Sequence, residues 1–387
     1  MSVRIGCGLS TGSDQRLAAI EAGQQAHAAL KGARADVVCV FASGGHLAAP
    51  EATLEGVHEA LAPPVLVGCG AGGVVGDGSE IERGTAVAVW AAALGGGRAE
   101  AFHLDVSQVA DAIAVGGLPE LDDVTAVVLL PDPYSFPTDV VLGEFARRAP
   151  GVPVLGGISS ARTLDGNAAL FLGDRLCGDG AVGLAFEGVE VMPCVSQGAA
   201  PVGPELTVTA VEGHVIRELA GRPALETLRE AIEGLDAHQQ ALVASGLLLG
   251  IVIGGGKPDY EQGDFLVRGV IGADPDAGTL TVGAPVHAGS VVRLHARDAE
   301  SADLDLRAAL CLRREALGGG MPAGALVFTC NGRGEAMFGT PDHDAITLDE
   351  ELAGAPAAGF FAAGEIGPVC GDPFLHGFTA TVAVFPP

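Results

Sequence analysis

The sequence predicts an α+β protein of two domains, with mixed β-sheets layered by helices and an internal strand-helix-strand-strand repeat. Three observations carry that expectation. Short runs such as Val37-Val38-Cys39-Val40 and Ala325-Leu326-Val327-Phe328 have the β-branched and aromatic content of buried strands. Segments between such runs carry apolar residues at helical spacing, as at Leu54, Val57 and Leu61. The order of the two kinds of segment then recurs along the chain.

Composition sets the outer limits. At 387 residues the chain exceeds one ordinary core, and 48% hydrophobic content excludes a disordered protein. Aromatics make up only 4%, so Ala, Val and Leu must fill the cores, while 59 aperiodic glycines imply many tight turns. A net charge of −27 argues against nucleic acid or an anionic membrane surface as partner. The eight cysteines show no CxxC pair and no His-Cys metal spacing, which fits buried thiols in a reducing compartment. The first residues have no apolar signal core, and the longest apolar stretch, 241–253, falls short of the roughly 18 residues a membrane span needs. The expected setting is cytoplasmic, with no membrane partner and the oligomeric state open.

Residues 13–30 read as an opening helix capped by Ser13 or Asp14, with Leu17, Ile20 and Ala28 marking a face. A strand at 36–42 leads to a helix that Pro50 opens at its first turn. A strand at 64–68, a glycine-rich turn at 70–78 and strands at 85–94 and 99–106 follow. The same order returns as strand 124–130, helix 138–148 with Val141 and Phe145 inward, strand 153–157, a polar turn, and strands 168–172 and 180–186. A hairpin over 205–219 turns at Glu212-Gly213-His214, and Arg222-Pro223 begins a helix. That places a domain boundary between 1–221 and 222–387. Strands at 247–253, 265–271, 279–282 and 291–296 precede a helix capped by Ser301 and running to about Arg314. The last stretch holds a strand at 325–328, an Asp-capped helix with Ile346 and Leu352, and apolar runs at 357–363 and 374–385.

Two copies of the repeat align Val65-Leu66-Val67-Gly68 with Val154-Leu155-Gly156-Gly157, and a third puts 359–364 in the place of 65–70. The glycine-rich turns after the second strand of each copy are then geometrically equivalent. A repeat that cannot cover its own apolar face is stabilised by stacking on its neighbours.

The polar residues least easily explained as scaffold lie at or near the ends of short buried elements: Cys330, Asn331, Arg333, His343, Glu365 and His376. Gly332 and Gly334 bracket Arg333, so a guanidinium there is placed to clamp a carboxylate, or else to bridge Glu365 or Asp342 across the fold. Gly70, Gly72 and Gly73 follow a strand, yet no GK[ST] and no helix follow them, so the Walker and dinucleotide motifs both fail. These glycines, like Gly157 with Ser159 and Gly364 before Glu365, mark either tight turns or backbone amides that face a ligand. Cys330, His343 and Asp344 are the residue types of a nucleophile, a base and its orienter, without a diagnostic spacing. His343, His376, Glu365 and Asp342 suit a metal, but no pair sits at helical spacing and there is no HExxH.

At Cys330-Asn331-Gly332-Arg333-Gly334, Asp342-His343-Asp344, Gly364-Glu365-Ile366-Gly367-Pro368 and Leu375-His376-Gly377-Phe378-Thr379, the chain resembles the FIST family. Pro64-Val65-Leu66-Val67-Gly68-Cys69 with Gly72-Gly73-Val74 is similar to its N-terminal part. The resemblance implies FIST N-terminal-like and C-terminal-like domains in a sensory protein for a small ligand, an amino acid or related metabolite. With no room for an output module in 387 residues, signalling is expected to run through a separate partner protein. On the residues themselves, Arg333 is expected to hold a ligand carboxylate and Glu365 an ammonium. Cys330, Asn331, His343 and His376 are expected to line the walls, with no cofactor. Exchange of Arg333 for Ala should then abolish binding and leave folding nearly unchanged. The alternatives are a cysteine-dependent hydrolase or transferase using Cys330 and His343, and a sensor holding haem or a divalent metal.

Overall fold

The computed structural model describes residues 2–109, 112–254, 256, 257, 260 and 262–387. Its first repeat runs β1 (Arg4–Ser10), α1 (Gln15–Ala29), β2 (Val37–Ser43), α2 (Pro50–Leu61), β3 (Val65–Ala71), a short hairpin β4 (Val74–Gly76) and β5 (Ser79–Ile81), then β6 (Ala86–Ala93). The second runs β7 (Arg98–Val109), β8 (Ala112–Gly116), β9 (Val124–Pro131), α3 (Thr138–Arg148), β10 (Val154–Gly157), a hairpin β11 (Leu170–Leu172) and β12 (Arg175–Cys177), β13 (Ala181–Glu187) and β14 (Met192–Gln197). A different segment intervenes. It comprises β15 (Ala199–Glu212), β16 (Val215–Leu219), β17 (Arg222–Pro223), α4 (Ala224–Glu233), α5 (Ala237–Ser245), β18 (Leu247–Val252), β19 (Phe265–Asp274), β20 (Thr279–Val282), β21 (Val291–Arg297) and α6 (Ala299–Ala316). The third repeat has β22 (Gly324–Cys330), α7 (Glu335–Phe338), α8 (His343–Glu351), β23 (Ala357–Ala362), a hairpin β24 (Glu365–Val369) and β25 (Asp372–His376), and β26 (Thr379–Phe385).

By its contacts the chain forms two units, Met1–Val195 with Leu306–Leu375 and Ala380–Pro387, and Ser196–Asp305 with His376–Thr379. The first unit holds the three repeats. In each, the strands flanking the helix pair in parallel: β2 with β3, β9 with β10, β22 with β23. A later strand of the same repeat adds antiparallel to the first: β6 on β2, β13 on β9, β26 on β22.

Register ties the repeats together. Gly68 lies opposite Val40, Gly156 opposite Leu129 and Gly359 opposite Val327. A Cβ at these glycines would sit 1.9, 1.9 and 1.7 Å from the facing carbonyl oxygen, so each parallel pair closes only over glycine. The repeats are present as expected, but their alignment shifts. Gly68 matches Gly156 and not Gly157, and Gly359 takes the place of Gly68 and not of Val65.

The short hairpins are exchanged between repeats. β4 pairs with β23, β11 with β3 and β24 with β10, all antiparallel. Each repeat thus completes the sheet of another, in a closed cycle. Strand β2 alternates between two cores, Val37, Cys39 and Phe41 on one side and Val38, Val40 and Ala42 on the other. The first core also takes Leu155, Phe186, Phe328, Phe360 and Phe385, so all three sheets bury one shared face. Phe41 and Phe328 both pack on Phe360, with ring centroids 5.1 and 5.8 Å away.

In the second unit β15, β21, β18, β19, β20 and β16 follow one another as paired strands, and β15 pairs back onto β16. The row of strands therefore closes on itself, and Val208, Ile216, Leu249, Leu280, Val292 and Leu294 belong to its core.

Several elements depart from expectation. The turn at 70–78 contains β4, and the run at 374–385 breaks into β25 and β26. Arg222-Pro223 pairs with β16 before the helix starts at Ala224. The carboxylate of Asp298 accepts from the Ser301 amide at the start of α6, so Asp298 takes the capping role expected of Ser301. Strands of three residues have too few side chains to show a period, and their partners lie in other repeats. Among the described residues no helix is long and apolar enough to cross a membrane.

Candidate functional site

Ligands of parallel sheets sit beyond the carboxyl ends of the strands, and here the carboxyl ends of β3, β10 and β23 meet. The amides at Gly70, Ile158 and Phe361 hold equivalent positions and donate to Ala169, Gly364 and Gly73 at 2.7, 2.8 and 3.0 Å, each acceptor standing just before a hairpin. Ser159 Oγ donates to the Gly70 carbonyl at 2.7 Å. Ser160 Oγ accepts from the Gly72 amide at 2.8 Å while donating to the Phe361 carbonyl. The expected equivalence of the glycine turns therefore holds in space. The amides of Gly70, Gly72, Ile158 and Ser159, however, are spent on protein acceptors. Gly157 is packed against Ala362 and Phe360, and Gly73 against Ile81 and Glu82. What the junction leaves exposed is Gly72, Asn331 and Ala363, with Asn331 Oδ1 3.8 Å from where a Gly72 Cβ would stand.

Behind Asn331 lies a charged network. The amide of Arg333 donates to the Cys330 carbonyl at 2.8 Å and turns the side chain inward, and Arg333 is only 1% exposed. Its Nε and Nη2 donate to Asp344 Oδ2 and Oδ1 at 2.8 and 2.9 Å. Thr329 Oγ1 donates to Asp344 Oδ2 at 2.7 Å, and His343 Nδ1 stands 3.0 Å from Oδ1. The His343 ring stacks on Phe338, with centroids 3.5 Å apart and planes within 4°. Arg333 Nη1 is buried without a hydrogen-bond partner among the described residues.

Burial alone would raise the Asp344 carboxyl, but Arg333 beside it and the bonds from His343 and Thr329 hold it well below the usual carboxylate range. Burial opposes the charge on Arg333 too, and is outweighed by Asp344, with Cys330 and Glu365 adding to the effect. So Arg333 bridges across the fold, the alternative to clamping a ligand, and its partner is Asp344 in place of Glu365 or Asp342. Its removal leaves a buried carboxylate without its cation, which runs against the expectation that Arg333→Ala folds almost unchanged.

The other candidates divide. Cys330 is 8% exposed, and its Sγ accepts from the Gly332 amide at 3.4 Å. Glu365 is fully buried at the start of β24. Gly334 packs against the Glu82 carboxylate. His376 groups with the second unit. Among the described residues no set of three His, Cys, Asp or Glu is arranged to hold a metal ion.

Sequence reasoning missed Glu80, Glu82 and the role of Asp344 as anchor. The aspartate at the cap position of α8 is Asp342, which has φ 60° and makes no side-chain capping bond. Its Oδ1 accepts from the Glu80 amide at 2.6 Å instead, and Glu80 Oε1 accepts from the Ala345 amide at 3.0 Å. The one available signal was a pair of glutamates alternating with Ser79 and Ile81 around a three-residue strand, which is too short to interpret.

The sequence matches the FIST N domain over residues 36–222 and the FIST C domain over residues 224–368. It is similar to the uncharacterized protein Rv0628c of Mycobacterium tuberculosis (strain ATCC 25618 / H37Rv), 43% identical over 386 residues that cover 99% of this chain and 100% of that one. It is likewise 43% identical over 387 residues to the uncharacterized protein Mb0898c of Mycobacterium bovis (strain ATCC BAA-935 / AF2122/97), covering 99% of each.

Proposed function

This chain belongs to the FIST family, with both its N and its C domain, and we propose that it senses an amino acid or a related small carboxylate at the junction of its three repeats. FIST domains point to a sensory, signalling-related role. The observation that carries this reading is Arg333 Nη1, a buried cationic donor with no acceptor among the described residues, two positions along the chain from the exposed Asn331. A ligand carboxylate satisfies it, with the Asn331 amide as a second donor. Because Arg333 is almost wholly buried, the ligand reaches Nη1 only if the structure around it opens. Occupancy is then tied to a change of conformation, which a sensor requires.

A thermal-shift screen of the full chain against α-amino acids, other small carboxylates, haem and divalent metals tests this reading. Ligand at a hundredfold its dissociation constant adds about 2.7 kcal/mol, a shift of roughly 2–4 °C for a chain of this size. The expected hits are carboxylates, lost in Asn331→Ala while the unliganded melting temperature stays put. A flat response to every carboxylate, or hits that survive Asn331→Ala unchanged, overturns the proposal.

The Asp344–His343 contact favours a second reading, a cysteine-dependent hydrolase or transferase in which Asp344 orients His343 as the base for Cys330. It requires Cys330 to alkylate selectively at neutral pH and to lose that reactivity in His343→Ala.

A further inference from the structure

A cavity of about 450 Å³ opens beside the β4–β5 hairpin and is lined by Glu80, Ile81, Glu82, Arg83, Glu335, Ala336 and Pro341. Three carboxyl groups and one guanidinium border it. Two of the three carboxyls are positioned by the backbone of the third repeat. Glu82 Oε1 accepts from the Glu335 amide at 2.7 Å, and a Cβ on Gly334 would come within 2.4 Å of Glu82 Oε2. Glu80 Oε1 accepts from the Ala345 amide, and the residue is only 9% exposed. Its Oε2 is buried and has no hydrogen-bond partner among the described residues. A buried carboxyl oxygen with nothing to accept from is costly, and its residue lines this cavity, so a donor that enters gains by reaching it.

The donor chemistry follows from the surroundings. No three acidic, histidine or cysteine residues are arranged as metal ligands among the described residues. An alkylammonium needs no such coordination shell; it brings three N–H donors on a compact charge. We propose that this cavity binds a small aliphatic amine or diamine whose ammonium donates to Glu80 and Glu82. The proposal does not rest on the carboxylate site proposed above, although Asp344 borders both.

Binding is linked to protons through Glu80. The groups facing it are Asp344 and Asp342 from α8 and its cap, Glu82 beyond its own hairpin, and the Ala345 amide. Burial and those three negative charges, against the Ala345 bond, push the Glu80 carboxyl up to about 8. At neutral pH it is protonated in the empty site, and an arriving ammonium displaces that proton. Affinity therefore rises with pH and levels off above about 8.

Titration calorimetry of the full chain with 1,4-diaminobutane near pH 7, in two buffers of different ionisation enthalpy, tests the proposal. The expected result is saturable binding with about one proton released per amine. Glu80→Gln copies the neutral carboxyl in shape; it should weaken binding about tenfold or more and abolish the buffer dependence. Arg83→Ala, at an exposed position, should tighten binding by removing a like charge. Absence of binding by the folded wild-type chain at millimolar amine overturns the proposal. So does unchanged affinity in Glu80→Gln or, where that variant fails to fold, weaker binding in Arg83→Ala. Thermal shifts by carboxylates are independent of each of these outcomes.

Discussion

Arg333 and Asp344 face each other in a two-pronged ion pair, Nε to Oδ2 at 2.8 Å and Nη2 to Oδ1 at 2.9 Å, with side chains 0% and 2% exposed. The same carboxylate holds Thr329 and stands against His343. A pair buried to this degree is sensitive to loss of either partner, because the survivor keeps its charge without its counterion.

Asp344→Leu and Arg333→Met should each therefore cost about 3–5 kcal/mol in denaturant unfolding. Combined, they should cost less than the sum of the two single changes, since no lone charge remains. Additive losses in that double-mutant cycle would mean the two residues contribute independently.

The two perturbed carboxyls pull the pH profile of stability in opposite directions. Asp344 has a depressed folded value, so its contribution is complete above its unfolded value near about 3.9 and is lost as pH falls through the folded one. Glu80 has a raised value of about 8. Its contribution is complete below its unfolded value near about 4.3 and is lost as pH rises towards the folded one. In urea titrations, wild type should lose stability relative to Glu80→Gln between those limits and then run parallel to it. A constant offset across the range would show that Glu80 titrates normally.

The glycines opposite the first strand of each repeat should not tolerate a side chain. Gly359→Ala places a Cβ 1.7 Å from the Val327 carbonyl oxygen, and overpacking of this kind costs about 1–3 kcal/mol or more. Gly143→Ala is the control, because that exposed position in α3 has open space around it. It should stabilise by roughly 0.5–1 kcal/mol through helix propensity. Melting curves of both variants check the contrast.

Thiol labelling of the native chain should begin at Cys370, which is exposed. Cys39 and Cys69 are buried, and burial raises both thiols far above their ordinary value. They should react only on unfolding. Mass spectrometry after a short pulse of iodoacetamide reads the order directly. Cys330 labelling ahead of Cys370 would favour the cysteine-dependent reading over the sensory one.

Much of the architecture was written in local pattern. Helix α3 spans the 138–148 that its apolar spacing marks, and β20 the 279–282 that its turn residues bound. The family was legible too, in motifs where glycines bracket single polar residues. The site was legible only in part. Arg333 stood out, but in the sequence Asp344 reads only as an orienter for His343 and not as the acceptor of Arg333, because no spacing shows which side chain the guanidinium reaches until the helix is placed.

The sequence by itself determined most of the longer strands and helices, that a strand-helix-strand-strand unit recurs three times, and to which family the chain belongs. Those properties depend on residues a few positions apart, where spacing carries the information. The tertiary structure alone decided that each hairpin completes another repeat's sheet, that Asp344 anchors Arg333, and that Glu80 lies against α8. The Glu80 amide and the Asp342 carboxylate that accepts from it are 262 residues apart in the chain. No periodicity spans that distance; the contact exists because β4 pairs with β23, and burial then gives Glu80 and Asp344 their unusual surroundings.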